Sequence, residues 1–567
     1  MKRGISWAGS VVGAVALVVA CSSKSGNGFD TTGPGGGDVD GGGTDGSSIF
    51  GPDSSLGGSD GSSGGPTGPS VDPKTCAEAA TSKSYIGCDY WPTVLANNVW
   101  STFDFAVVVA NAGDNAADIT VTGPNGVNQK ATVAPQQLTT IYLPWVTDLK
   151  GPDADCAGQA TALATSVFSA KGAYHLVSTF PVTVYQFNAL EYQGKGGPPG
   201  KDWSTCPGLG NPLTCTGVCD SFSNDASLLL PSTAMTGNYR VTGIFGWTET
   251  NIIGQKQDIM GAYFAVTGTA DGTNVKVKIS GTGQVLAGGA IQATSAGGVL
   301  SFTLNAGDVA EITGPLGASH DLSGSKVTAD KPVQVITGVP CINMPAGKGT
   351  CDHIEESVLP AETLGKHYVV TVPTAPHGAP VGHVVRIYGN VDGTKLTYSG
   401  AAGCGATVNA GQVLECNVVT SDFEVTGDHE FAVGSFSEGT SVVDPPGSPT
   451  SMGDPDQSQM IAVEQYRTKY IFLSPTDYDV SYVDVVAPKG AKLTLDGQAV
   501  TTTFTPVGTN NLTVGRIKLG AGQAGAHVMT GDQAFGVQVM GYGAATSYQY
   551  PGGLDLHAIA PPPPPVK

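Results

Sequence analysis

Apolar and polar side chains alternate along most of this chain. Val275, Val277 and Ile279 enclose Lys276 and Lys278, Leu493 and Leu495 bracket Thr494, and Val333 and Val335 bracket Gln334. A period of two, punctuated by Gly, Asn and Asp, predicts antiparallel strands with one buried face. No stretch shows convincing helical spacing, and residues 75–82 are expected to form a turn at most.

The strand pattern recurs four times. Each copy opens with a strand after a Leu-Pro-like segment. Leu230-Pro231 precedes Tyr239-Arg240-Val241, Leu359-Pro360 precedes Tyr368-Val369-Val370, and Met460-Ile461 precedes Tyr470-Ile471-Phe472. Trp91-Pro92 before the 103–109 run is a looser copy. A two-residue turn follows at Asn125-Gly126, Asp271-Gly272, Asp392-Gly393 and Lys489-Gly490. These read as hairpin turns, because such dipeptides accommodate positive φ. A third landmark is Ala134-Pro135-Gln136, Ala306-Gly307-Asp308, Ala410-Gly411-Gln412 and Ala521-Gly522-Gln523. The fourth is a closing pair of strands around Thr179-Phe180-Pro181, Ala329-Asp330-Lys331, Gly427-Asp428-His429 and Gly531-Asp532-Gln533.

Six or seven short strands in about 75–110 residues match the size of a β-sandwich. A β-propeller is the alternative, but its blades carry four strands in roughly 40–50 residues. The 567 residues are therefore read as all-β, a tandem array of about four antiparallel β-sandwich-like modules. The modules are placed at 75–191, 223–345, 346–446 and 447–560, with a Cys-rich insertion loop at 192–222 and a polyproline tail at 561–567.

The first 20 residues read as an address label. Lys2 and Arg3 precede an apolar run that ends Val18-Val19-Ala20-Cys21. That ending resembles the lipobox of bacterial lipoproteins, which implies cleavage before Cys21 and lipidation of its thiol. Ser22 in place of an Asp favours the outer membrane or cell surface of a diderm bacterium by the same resemblance. Residues 21–74 form a linker; 28 of the 49 residues from 22 to 70 are Gly or Ser, too few apolar groups to offset chain entropy.

Ten cysteines remain after Cys21, and an even number in an exported chain predicts five disulfides. Cys404 with Cys416, Cys341 with Cys351 and Cys76 with Cys88 are the favoured pairs. Cys156, Cys206, Cys215 and Cys219 share two more in an order the spacing leaves open.

The net charge of −20 argues against nucleic acid and against anionic lipid surfaces as partners. No nucleophile elbow, zinc-protease motif or phosphate loop is present. The densest polar cluster is Asp352-His353-Ile354-Glu355-Glu356. Aligning Ser227, Ser357 and Ser458 sets Asp225, Glu355 and Asp456 at one offset. An acid repeated across modules reads more readily as structural than as catalytic. Asp225, Asp352, Glu355 and Asp456 are nonetheless kept as candidate metal ligands, with Ca2+ the ion suited to oxygen donors. His175, His353, His367, His383 and His527 read as satisfied core or edge residues. Trp91, Trp100, Trp145, Trp203 and Trp247 are sugar-stacking candidates, though large aromatics in a sandwich are usually core.

Four segments together resemble the N-terminal domain family of IgG-Fc-binding proteins. They are residues 223–231, Lys331-Pro332-Val333-Gln334-Val335-Ile336-Thr337-Gly338, Cys351-Asp352-His353-Ile354-Glu355-Glu356, and Leu359-Pro360 through Leu364-Gly365-Lys366-His367-Tyr368. The resemblance spans roughly residues 85–560 and implies an extracellular binding or adhesion module without a catalytic residue. The expected function is a surface-displayed, lipid-anchored binding protein whose partner is a protein or glycan surface. A structural envelope or matrix component and a carbohydrate-active enzyme are the alternatives; the enzyme needs a deep pocket holding two carboxylates or a His-carboxylate pair.

Overall fold

Alternating segments become strands, and every pairing among the described residues is antiparallel. The computed structural model describes residues 72–566, except 112, 157, 159, 212–213, 251–253, 349–350, 401–402, 445–447, 449, 521 and 523–524. Cys21, the 1–20 segment and nearly all of the linker lie outside the described residues. One departure is local: Cys76–Ser82 is a short α-helix, not a turn. Thr75 Oγ1 caps it by accepting from Glu78 N, and the Cys76–Cys88 disulfide pins it.

The four copies share one plan, an outer and an inner set of strands. In the second copy the outer sheet runs Asn238–Arg240, Lys326–Ala329, Thr273–Lys278, Val299–Leu304. Its inner sheet runs Asp352–Ser357, Val333–Ile342, Tyr263–Gly268, Val309–Thr313, and borrows Val167–Ser169 from the first copy. The third copy repeats this with His367–Val370, Phe423–Gly427 and Thr394–Gly400 outside, and Gln457–Gln459, Phe431–Ser437, His383–Gly389 and Val413–Val419 inside. In the first and fourth copies the closing pair is one continuous strand, His175–Phe187 and Ala526–Gly543, whose two halves serve the two sets. Each copy thus contributes two strand sets rather than one four-stranded blade, and the propeller alternative finds no support.

A tyrosine on each opening strand marks the equivalence. Tyr239, Tyr368 and Tyr470 donate their hydroxyls to the carbonyls of Val333, Phe431 and Phe535 on the closing strand. The same three hydroxyls accept from the backbone N–H three residues earlier, at Thr236, Gly365 and Arg467. In the first copy Tyr90 donates to Val182 O at 2.6 Å. Its opening strand is therefore Gly87–Tyr90, and the run at 103–109 is the following strand, Phe105–Ala110.

The second landmark needs a similar correction. Asn125-Gly126 does turn a hairpin, with φ of 59° and 73°. Asp271-Gly272, Asp392-Gly393 and Lys489-Gly490 instead carry the chain from an inner to an outer sheet. Both corners need positive φ at Gly, so the dipeptide alone does not distinguish them. The third landmark joins outer to inner set in the first three copies. In the fourth it precedes the closing strand, and Ala521 and Gln523 lie outside the described residues.

The described copies all belong to one contact unit, Ser63–Lys567. Its largest apolar cluster mixes Tyr85, Phe187, Leu228, Val369, Phe472, Val537 and Tyr548 from across the sequence. The first and last described segments close on each other: Tyr85 N donates to Leu554 O, Leu556 N to Lys83 O, and Arg467 pairs with both Asp72 and Asp555. The last strands of the inner sets are Ala226–Leu229, Asp352–Ser357, Gln457–Gln459 and Thr546–Pro551. Each touches the next, and the last touches the first.

Two outcomes follow from this shared core. Urea unfolding followed by circular dichroism and by tryptophan fluorescence should give one coincident transition for the four copies. Replacing Tyr368 by Phe should lower stability by about 1–3 kcal/mol, since it strands a buried carbonyl and a buried N–H.

Candidate functional site

The four inner strands are edge strands, and burial denies water to their unpaired edges. Exposed N–H groups at such an edge need acceptors from somewhere. Short carboxylates supply them. Asp225 Oδ2 accepts from Glu355 N at 3.0 Å and from Gln457 N at 3.1 Å, and its Oδ1 accepts from Ala226 N at 2.8 Å. One side chain thereby ties three inner strands. Asp352 Oδ1 accepts from His353 N, and its Oδ2 from Thr546 Oγ1 at 3.1 Å. Glu356 Oε1 accepts from Ser357 N at 2.8 Å. Glu355 receives Gln186 Nε2 and Ser227 Oγ on one oxygen, both at 3.0 Å, and Asn188 Nδ2 at 2.7 Å on the other.

The candidate metal residues Asp225, Asp352, Glu355 and Asp456 are therefore all brought to this axis, and all are fully buried. Among the described residues no group of three or more His, Cys, Asp or Glu is placed to hold a metal ion. Burial, and then the neighbouring Asp456, push the Asp225 carboxyl well up; burial and Asp454 do the same to Asp352. Burial also raises Asp456 and Glu356. The proposed offset shifts by one at Asp352–Ser357, the strand that closes the inner sheet of the second copy. Counting back from Pro231 and Pro360, Ser227 corresponds to Glu356, so Ile354 occupies the place of Asp225. The cross-strand partners agree: Ser227 faces Gln186, Glu356 faces Thr337 and Ser458 faces Ser435.

All five candidate histidines have a partner, His353 through Nε2 at 3.3 Å from Glu355, but the buried Nδ1 of His353 and Nε2 of His383 have none. His175 stacks on Trp91 and meets Asp89 at 2.7 Å, His367 meets Glu424, His383 meets Ser435, and His527 meets Asp496. Three indole N–H groups are likewise used: Trp100 to Ala154 O, Trp145 to Phe103 O and Trp203 to Gly196 O.

The segments that precede the inner strands gather at one end of the axis. Gly439 N donates to Met344 O, Gly453 N to Gly543 O, Ala545 N to Ser451 O, and Thr546 Oγ1 to Asn224 Oδ1. Cys341–Cys351, Cys206–Cys219 and Cys156–Cys215 staple the same end, while Cys76–Cys88 and Cys404–Cys416 lie in the first and third copies. The result is a loop face whose backbone is cross-tied before any ligand arrives.

A cavity of about 710 Å³ lies where the first and fourth copies meet, lined by Tyr142, Leu190, Glu191, Lys195, Leu473 and Asp477. Burial, and then Asp104, push Glu191 up to about 7, and burial pushes Asp477 up to about 6. Sequence reasoning missed this pair, because nothing local links residues so far apart in the chain.

Against known proteins, a family model described as IgGFc binding protein matches residues 225–541. The human protein named IgGFc-binding protein is 33% identical over 195 residues, which is 34% of this chain and 3% of that protein. The chain thus covers only a small part of that relative's length. The tetra-tandem repeat from the extending region of a large adhesion protein aligns at 14% identity over 83% of this chain and 99% of its own. Its TM-score of 0.09 adds nothing to the fold.

The buried carboxyls set a pH dependence. Burial holds Glu311 up at about 8 and Asp484 at about 7, alongside Glu191 and Asp477. Such groups ionise first in the unfolded chain, so the stability they contribute is complete below about pH 4 and is lost as pH rises toward about 8. Buried His383, held down near 3, acts oppositely below its usual 6.5. Four carboxyls outweigh one imidazole, so the melting temperature should be higher at pH 5 than at pH 8. Glu311→Gln should narrow that difference in a calorimetric series.

Proposed function

Because the chain belongs to the IgGFc-binding protein family, we propose that it is an exported, surface-displayed binding protein, lipid-anchored through Cys21, whose loop face grips a protein ligand. The observation that carries this reading is the cross-tied, disulfide-stapled loop end on a rigid β body. Binding residues held on loops over a fixed scaffold lose little conformational freedom on association. The inner acidic residues belong to the scaffold in this reading, and the ligand meets the loops.

The test uses the full chain in detergent against the Fc fragment of IgG and an array of extracellular proteins, by biolayer interferometry. Saturable binding is expected to at least one of them. Freeing the loop face by Cys206→Ser with Cys219→Ser should weaken it by about tenfold or more, chiefly through faster dissociation. Absence of saturable binding across the array removes the reading.

Anchoring has its own readout. The chain expressed in a diderm host should sediment with membranes and require detergent for release. Cys21→Ser should leave it in the aqueous fraction, since the affinity resides in the acyl chains.

One observation favours a second reading, glycoside hydrolysis: the cavity between the first and fourth copies holds Glu191 and Asp477, both with raised carboxyls. Turnover of a fluorogenic glycoside that falls about a hundredfold in Glu191→Gln would establish it. No turnover by the intact chain dismisses it.

A further inference from the structure

We propose that the loop face carries a binding site for a neutral saccharide, in a cavity of about 480 Å³ walled by Trp100, Trp247, Phe222, Asn98, Asn343 and Glu249. This rests on reading the chain as a binding protein, and it names a ligand class for one place on that face. The volume lies within the range that encloses small ligands.

The lining joins two kinds of group. Three aromatic side chains converge from three separate segments: Trp100 from the first copy, Phe222 from the end of the insertion, and Trp247 from the hairpin of Trp247–Thr250 with Lys256–Met260. Phe222 is held there at a φ of 51°, a backbone setting rare for a bulky residue. Aromatic faces pair with the C–H faces of sugar rings. Between them stand two amides and one carboxylate, and polyol recognition draws on such donors and acceptors.

The polar wall is incomplete as it stands. Asn98 and Asn343 are 3% and 5% exposed. Each amide nitrogen is engaged: Asn98 Nδ2 donates to Pro152 O and Thr161 O, and Asn343 Nδ2 to Glu249 Oε1 at 3.2 Å. Their oxygens have no partner, and neither has the indole N–H of Trp247, although all three atoms are shielded from solvent. A buried polar atom left unpaired lowers stability, because the water it gave up is not replaced. Two acceptors and one donor lacking partners around one cavity mark a wall that hydroxyl groups would complete once small side-chain rotations admit them. Of the five indoles in the described residues, the Trp100, Trp145 and Trp203 N–H groups have carbonyl partners; those of Trp91 and Trp247 have none, and of these two only Trp247 lines this cavity.

Charge selects within the class. Glu249 is the one charged side chain in the wall, and the whole chain carries −20. Uronic and sialic acids are therefore disfavoured, and uncharged hexose or N-acetylhexosamine units fit.

The experiment titrates the full chain in detergent with maltotriose, chitotriose and trigalacturonate by calorimetry. At least one neutral trisaccharide should bind at about 1 mM or tighter, and trigalacturonate should not. Trp247→Ala and Asn343→Ala should each weaken binding about tenfold, with Trp247→Phe between them and the wild type, while Trp203→Ala leaves it unchanged. A melting curve on each variant separates lost binding from lost fold; if Trp247→Ala melts early, Trp247→Phe and Asn343→Ala decide. No binding of either neutral sugar at about 20 mM, tighter binding of trigalacturonate, or undiminished binding by the folded variants overturns the proposal. Failure here with retained binding on the protein array leaves the protein-binding reading intact; failure of both removes both.

Discussion

Four buried strand edges facing one another constrain this molecule more than any other feature. A sheet edge in solvent lets water take its free N–H groups; a buried edge has no such recourse. The strands at Ala226–Leu229, Asp352–Ser357, Gln457–Gln459 and Thr546–Pro551 touch in a closed cycle, so the deficit arises in each copy. Carboxyl groups on short stems meet it because they offer two acceptors and no obligatory donor. Asp225, reaching the backbones of Ala226, Glu355 and Gln457 at once, makes three repeats share one side chain. This accounts for Asp225, whereas Asp456, at the equivalent offset, has no hydrogen-bond partner on either carboxyl oxygen, and Ile354 stands at that place in the strand between them.

The same arrangement has an electrostatic consequence. Carboxyls placed for their acceptor geometry lie close together, as Asp225 does to Asp456 and Asp352 to Asp454. In a region of low dielectric they cannot all carry charge cheaply. The protonated forms of Asp225, Asp352 and Asp456 are favoured, and a protonated carboxyl gains a donor that the surrounding Ser, Thr, Asn and Gln oxygens can accept. The axis is thus a mixed network of amides, hydroxyls and acids that tolerates acid better than alkali, which is the direction the other raised carboxyls of the body also take.

What the sequence made legible divides along the range of each interaction. Alternation, turn residues and cysteine spacing are local signals. They place the strands, the pairs Cys76–Cys88, Cys341–Cys351 and Cys404–Cys416, and the fourfold recurrence. The Asp-Gly dipeptides report positive φ but not whether the next strand stays in its sheet or crosses to another, so hairpins and corners read alike. The offset slipped at Asp352–Ser357 because Ser357 lies beside Glu356 and a single-residue shift leaves the local pattern unchanged, although it turns every side chain to the other face. The opening tyrosines were visible, but not that Tyr90 was the first of them, because its strand is four residues long and is defined only by its partner at His175–Phe187. Glu191 with Asp477, and Trp100 with Trp247, carry no local mark at all; only the meeting of distant segments joins them.

This division also separates what the fold must keep from what it is free to vary. Asp225 must reach three backbones at once, and the tyrosine hydroxyls demand fixed carbonyls, so substitutions at either cost stability. The segments before the inner strands carry no such demand. They differ in length from the two residues between Gly543 and Thr546 to the long disulfide-stapled stretch between Phe187 and Ala226. Cross-ties such as Gly439 N to Met344 O and Ala545 N to Ser451 O hold them to each other as much as to the body. Among the copies of this chain, that face varies in length while the strands that support it keep one plan.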